Sequence, residues 1–284
     1  MSNPKPNPKS KSLFSPLERV STWRRLSVGM WGPPTSPVAQ GQREVDLSET
    51  LPWLEEVSEK SGRRITITHL FVAAVGRMLQ KFPDYNVILR RNQPWKRPSV
   101  DVFVQVAVKG EDGSADLSGV KVHDADKGSI LDIADQIGAR AKKVRAGQDK
   151  DIEQAKSSLR VIPPVLVPWL MKALTTLSYD FGIDMTRFGL KPDPFGSAMV
   201  TNVGSFDIPH ALVPLMPTSR VPILFCLGSI HERPRVVEGK VVARPTLILT
   251  GSFDHRLYDG FQIGQMTNMV DEIATHPSKY DLVV

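Results

Sequence analysis

Cysteine occurs once in the 284 residues, at Cys226. No internal disulfide can form, and a reducing compartment, the cytoplasm, is the simplest setting. Cys226 lies in the apolar run 221–227 with no basic neighbour, which reads as a buried, inert thiol rather than a nucleophile. A long hydrophobic run is also missing. The longest apolar stretch, Val161 to Leu177, is broken by Pro163, Pro164, Pro168 and Lys172, whereas a membrane span needs about 20 mostly apolar residues. We therefore expect no membrane span. The opening MSNPKPNPKSKS has no apolar core and is not expected to act as a signal peptide. Neither GxGxxG nor a P-loop occurs, nor CxxC or HExxH, so nucleotide and metal cofactors have no motif to rest on and no metal site is expected.

What is present is an ordinary globular mix, 41% hydrophobic and 23% charged, which excludes a wholly disordered or fibrous chain. The formal charge is +6, and its location decides its meaning. Lys5, Lys9, Lys11, Arg19, Arg24 and Arg25 face only Glu18 within residues 1–25, so +5 sits there and +1 on the other 259 residues. A basic arm on a nearly neutral body is no nucleic-acid footprint. Residues 1–15 are expected to be a disordered basic arm and 16–284 one folded domain.

Periodicity organises that domain. Ser48 is placed to cap a helix running through Glu59 and ended by Gly62. Beyond Thr68, Phe71, Ala74, Val75, Met78 and Leu79 recur with helical spacing until Pro83. Val100, Val102, Val104, Val106 and Val108 alternate as a strand, and residues 110–113 read as a turn. Ser129 opens a helix along Ile130, Ile133, Ala134 and Ile137 that ends in Arg140, Lys142, Lys143 and Arg145. Cations there suit the helix dipole, so they need not form a phosphate site. Residues 150–195 are proline-interrupted and partly helical. Strands are expected at 197–203, 222–230, 235–237, 241–243 and 246–253, with Glu238-Gly239 turning one hairpin, and a last helix from Phe261 to about Thr275. Irregularly interleaved helices and strands indicate an α/β domain with a mixed sheet.

The chemistry-bearing segment is Asp254-His255-Arg256-Leu257-Tyr258-Asp259-Gly260, between the last strand and the last helix. A strand that stops at a histidine leaves its imidazole at the sheet edge. Taken singly, His255 reads as a loop histidine and Asp259 as a helix N-cap, with Gln262 completing a capping box. Together the seven residues resemble the DHRxxDG signature of the 2-oxo acid dehydrogenase acyltransferases, the catalytic domains of dihydrolipoyl acyltransferases. The likeness extends in order over roughly residues 24–278. Glu44-Val45-Asp46-Leu47 resembles EVDV, and Phe82-Pro83 with Asn86 resembles FPxxN. His123 to Ser129 followed by Ile133-Ala134 is similar to RDADxxSLxEIA, and Thr201-Asn202-Val203-Gly204 to SNLG.

The resemblance implies a chloramphenicol acetyltransferase-like mixed-sheet sandwich with flanking helices and CoA-dependent acyl transfer. CoA and acyl-CoA would be substrates, with no permanently bound cofactor. His255 is then the general base that takes the thiol proton, and Thr201 donates to the oxyanion, although a β-branched strand residue is its bland reading. Asp259 completes the catalytic set. Arg24, or Arg25 beside it, is the orienting partner of Asp259, or else merely solvates the arm. Asp254 holds the turn, and Asn202 and Ser252 lie at substrate. His69, His123, His210, His231 and His276 read as structural or surface residues. The implied assembly is a homotrimer with sites between subunits, His255 of one facing Thr201 of the next.

Some features depart from the family. Only about 25 residues precede the region of likeness, so a lipoyl domain, where needed, is expected on a separate protein. Asp112 to Ser118 replaces an apolar GLVVPV strand, and 150–195 is atypically long. A catalytically silent trimeric scaffold and a small-molecule O-acetyltransferase are the competing readings; the latter's HHxxxDG pattern has His where this chain has Asp254.

Overall fold

A computed structural model describes residues 21, 36–109, 115–145, 163–186 and 192–283. The expected basic arm, Arg24 and Arg25, the turn at 110–113 and part of the 150–195 stretch lie outside the described residues.

Among the described residues, the backbone of the fold is a seven-stranded mixed sheet. In chain order its strands are β1 (Val38–Asp46), β4 (Val102–Lys109), β5 (Ala115–Val122), β6 (Ala198–Asn202), β7 (Ile223–Leu227), β8 (His231–Val237) and β9 (Lys240–Asp254). The spatial order is β1-β9-β7-β6-β4-β5, with β8 paired to the first part of β9. β6 runs parallel to both of its neighbours, β4 and β7; the remaining pairings are antiparallel. A separate hairpin joins β2 (Val87–Arg90) to β3 (Gln93–Lys96).

Period-2 alternation gives the sheet two distinct faces. Val102, Val104, Val200, Ile223, Phe225, Leu227, Leu247, Leu249 and Phe253 join one large core. Packed into it are helices α1 (Thr50–Ser61), α2 (Ile67–Lys81), α3 (Ile130–Arg145) and α5 (Gly260–Thr275). On the opposite face Met199, Leu224 and Cys226 form a smaller cluster, packed against Ala211, Val213 and Leu215 of the 205–216 segment. Helix α2 approaches the loop after β5 so closely that a Cβ on Gly76 would lie 2.1 Å from the Ala125 carbonyl oxygen. Only glycine allows that contact.

Several expectations need correcting. Ser48 does not cap α1: its N–H and hydroxyl both bond Asp46 Oδ1, and Glu49 holds the cap position. Gly62 does end the helix, in the left-handed conformation. Helix α2 starts before Thr68, with Thr66 as its cap and His69 closing a capping box. The two strands expected at 241–243 and 246–253 are one, because Pro245 falls where β9 changes partners from β8 to β1 and β7. A missing N–H is tolerated at such a switch. Of the residues that replace GLVVPV, 115–118 are described and open a strand, β5. Of the 150–195 stretch, Val167–Thr175 is helix α4, and Thr176–Asp180 continues it as a wider π-type turn.

Candidate active site

Strand β9 ends at Asp254 and α5 begins at Gly260, leaving a five-residue turn that carries His255. The turn is pinned at both ends. Asp254 donates its N–H to the Pro222 carbonyl at 2.9 Å, and its own carbonyl accepts the Leu257 and Tyr258 N–H groups. The Asp254 carboxylate takes the Arg256 N–H at 3.1 Å and a two-point guanidinium contact at 2.9 and 2.6 Å. Tyr258 is buried and its hydroxyl donates to the Tyr85 carbonyl at 2.8 Å. That burial pushes the phenol well above its ordinary pKa, so it serves as a neutral donor. The 2.8 Å bond from Phe261 N–H to Asp259 Oδ1 and the 2.9 Å bond from Asp259 N–H to Gln262 Oε1 complete the capping box expected from the sequence.

His255 is therefore exposed on a rigid mount, with its own N–H held by the Pro37 carbonyl at 2.7 Å. Such a mount places an imidazole for proton transfer without burying it.

The other expected residues lie elsewhere. Thr201 is buried in β6, level with Cys226 on β7 and Thr250 on β9. His255 lies five positions beyond Thr250. At about 3.4 Å per residue and 4.8 Å per strand, Thr201 and His255 of one chain are about 20 Å apart. One protomer does not bring them together. Ser252 shares the Thr201 face and is fully engaged, donating to the Val213 carbonyl at 2.6 Å and accepting from Gln40 Nε2 at 3.1 Å. Asn202 faces the helix layer instead, where its Nδ2 donates to Thr68 Oγ1 at 3.0 Å.

Cys226 is completely buried, and desolvation raises its thiol pKa, the condition of an inert thiol. Among the described residues no group of His, Cys, Asp and Glu is arranged to hold a metal, and no helix is long and apolar enough to cross a membrane. A cavity of about 460 Å³ between α2 and α5 is lined by Lys81, Phe82, Gln265, Asn268, Met269, Glu272 and Tyr280, none of them a candidate site residue. Sequence reasoning missed Tyr258, Tyr85, Pro222 and Pro37. The signal for Tyr258 was available, since an aromatic residue in a polar turn usually has something to bury against.

Comparison with known proteins places these features in context. The chain is 25% identical over 246 residues to the dihydrolipoyllysine-residue acetyltransferase component of the Bacillus subtilis pyruvate dehydrogenase complex, covering 86% of this chain and 46% of that protein. It is 26% identical over 241 residues to the mitochondrial dihydrolipoyllysine-residue succinyltransferase component of the Saccharomyces cerevisiae 2-oxoglutarate dehydrogenase complex, covering 83% and 42%. The chain thus spans less than half the length of these relatives. In fold it is similar to a probable dihydrolipoamide acetyltransferase from Listeria monocytogenes, with TM-score 0.62, 18% identity and coverage of 94% and 97%. The cubic core of the pyruvate dehydrogenase multienzyme complex gives TM-score 0.61 at 17% identity, covering 97% of this chain and 98% of that one. Residues 30–162 and 194–281 match the family model described as 2-oxoacid dehydrogenases acyltransferase (catalytic domain).

Proposed function

Because the chain belongs to the 2-oxoacid dehydrogenases acyltransferase (catalytic domain) family, we propose that it transfers an acyl group between CoA and a thiol such as dihydrolipoamide, with His255 as the general base. The observation that carries this reading is the exposed imidazole on its pinned turn, at the end of β9.

In the proposed reaction a neutral His255 takes the S–H proton as the sulfur attacks the thioester carbonyl carbon. A new C–S bond forms and the carbonyl electrons move to oxygen. The Thr201 hydroxyl donates a hydrogen bond to that oxyanion. When the intermediate collapses, the original C–S bond breaks, and the departing thiolate recovers the proton from the imidazolium. Asp254 holds the turn, Asp259 fixes the start of α5, and Arg24 would orient Asp259. Asn202 and Ser252 shape the neighbourhood of Thr201 through their bonds to Thr68 and Val213.

The separation of about 20 Å between His255 and Thr201 leads us to place the working site between protomers, with Thr201 from a second copy, as in a homotrimer. Phe206, Leu212 and Met216 are exposed on the segment that covers the Thr201 face, which suits burial against another chain. The lipoyl group would arrive on a separate lipoyl-domain protein.

The test is acyl exchange between acetyl-CoA and dihydrolipoamide. His255→Ala is expected to lose several orders of magnitude in turnover with the assembly still folded. Thr201→Val, which keeps shape and deletes the hydroxyl, is expected to lower kcat by about 10²–10³-fold. Full activity in His255→Ala would overturn the base assignment. Absence of turnover in the wild type with a panel of acyl-CoAs would favour the silent scaffold.

A further inference from the structure

The bend that leads into β7, Ser219 to Pro222, is tied down by groups remote in sequence and by one bond of its own. The Tyr179 hydroxyl donates to the Ser219 carbonyl at 3.1 Å. Ser219 Oγ accepts the Val221 N–H at 3.2 Å. The Arg97 guanidinium donates to the Arg220 carbonyl at 3.3 Å. Arg220 itself has φ +55°, a region that a residue with a Cβ occupies only where its surroundings hold it. Its fork does the holding, with one nitrogen 2.9 Å from Asp180 Oδ2 and another 3.1 Å from the Leu89 carbonyl. Two residues later, the Pro222 carbonyl accepts the N–H of Asp254, the residue before His255.

Tyr179 and Asp180 belong to the stretch between 162 and 194 that the family match omits. A segment outside the family match therefore clamps the bend against which the histidine turn is hydrogen-bonded. We infer that Arg220 is a positioning residue for His255. By holding the left-handed bend between Asp180 and Leu89, it fixes the Pro222 carbonyl, the last rung of β9 and the direction in which the imidazole leaves the sheet. The inference rests on His255 being the base. A planar fork with two fixed acceptors suits the task, because it sets both the distance and the orientation of the bend.

Arg220→Gly is the informative variant. Glycine enters the left-handed region without steric cost, so the bend stays available while the clamp is removed. Arg220→Lys keeps the charge near Asp180 without the fork, and Asp180→Asn removes only the charged partner. The readouts are kcat and KM for acetyl-CoA–dihydrolipoamide exchange, and hydrogen exchange of a peptide covering residues 250–258. Arg220→Gly is expected to lower kcat by about 10- to 100-fold with KM within about 2-fold of wild type. Exchange at 250–258 should quicken while α2 keeps its protection. Asp180→Asn should move both readouts in the same direction by less, and Arg220→Lys should restore part of the loss.

Wild-type kcat together with wild-type exchange at 250–258 in Arg220→Gly would overturn the inference. So would faster exchange spread equally through α2, which marks general destabilisation. If His255→Ala keeps full turnover, the base assignment fails separately, and exchange at 250–258 still decides whether Arg220 holds the turn. Asp180→Asn carries the same two readouts if Arg220→Gly does not fold.

Discussion

His69 and His255 show how differently one residue type is used. His69 lies buried under the first turn of α2, where Nδ1 accepts the Thr66 N–H at 3.1 Å. Desolvation, with help from Arg64, pushes its pKa down to about 4. An unfolded histidine binds its proton near pH 6.5, so this group favours the folded state fully above that pH. The contribution drains away as pH falls from about 6.5 to about 4, on the order of 3 kcal/mol in all. His69→Gln, which can make the same capping-box bond, should flatten that part of the stability–pH curve in urea titrations. An unchanged curve would show that His69 does not carry the acid sensitivity. The sequence left His69 as a structural or surface residue and offered no sign of its burial, because a single histidine in an apolar helix pattern looks the same on either face. For His255 the opposite holds: the motif exposed it, while the carbonyls that fix it, Pro37 and Pro222, come from positions with no local signature.

The elements most legible in sequence were those with their own punctuation. Asp259 and Gln262 marked the start of α5, and Gly62 the end of α1, because caps are local chemistry. The β2–β3 hairpin went unread because its turn uses Arg91 and Asn92 at φ 48° and 60°, where an Asn-Gly pair would have announced it. Strand β5 was obscured by Asp116, Ser118 and Gly119, which break the apolar alternation. At this scale Asp259 separates two roles. Asp259→Ala should cost about 1 kcal/mol through the lost cap, read as a fall in Tm. Asp259→Asn keeps the cap, so it should hold Tm while lowering kcat if the negative charge orients the site. Full activity in Asp259→Asn would reduce this residue to a cap alone.

In the whole molecule, alternation and length were enough to indicate an α/β domain with a mixed sheet, whereas strand order was not readable, since nothing local states that β9 lies between β1 and β7. The same order keeps Thr201 about 20 Å from His255 within a protomer. If the site forms between copies, specific activity should fall on dilution in step with the loss of trimer seen by sedimentation. Activity independent of concentration, measured where only monomer sediments, would remove the inter-subunit site.

The pairing of β1 with β9 also has a consequence for synthesis. Gln40 and Ser252 meet across 212 residues of chain. At about 5–20 residues per second, a ribosome leaves β1 without its partner for about 10 to 40 s. The Pro37 carbonyl waits equally long for His255. The turn that carries His255 is thus assembled only after β9 has emerged, and a nascent chain stopped short of β9 would carry the earlier described strands yet lack His255 altogether. The pinned geometry of that turn cannot exist before β9 has joined β1.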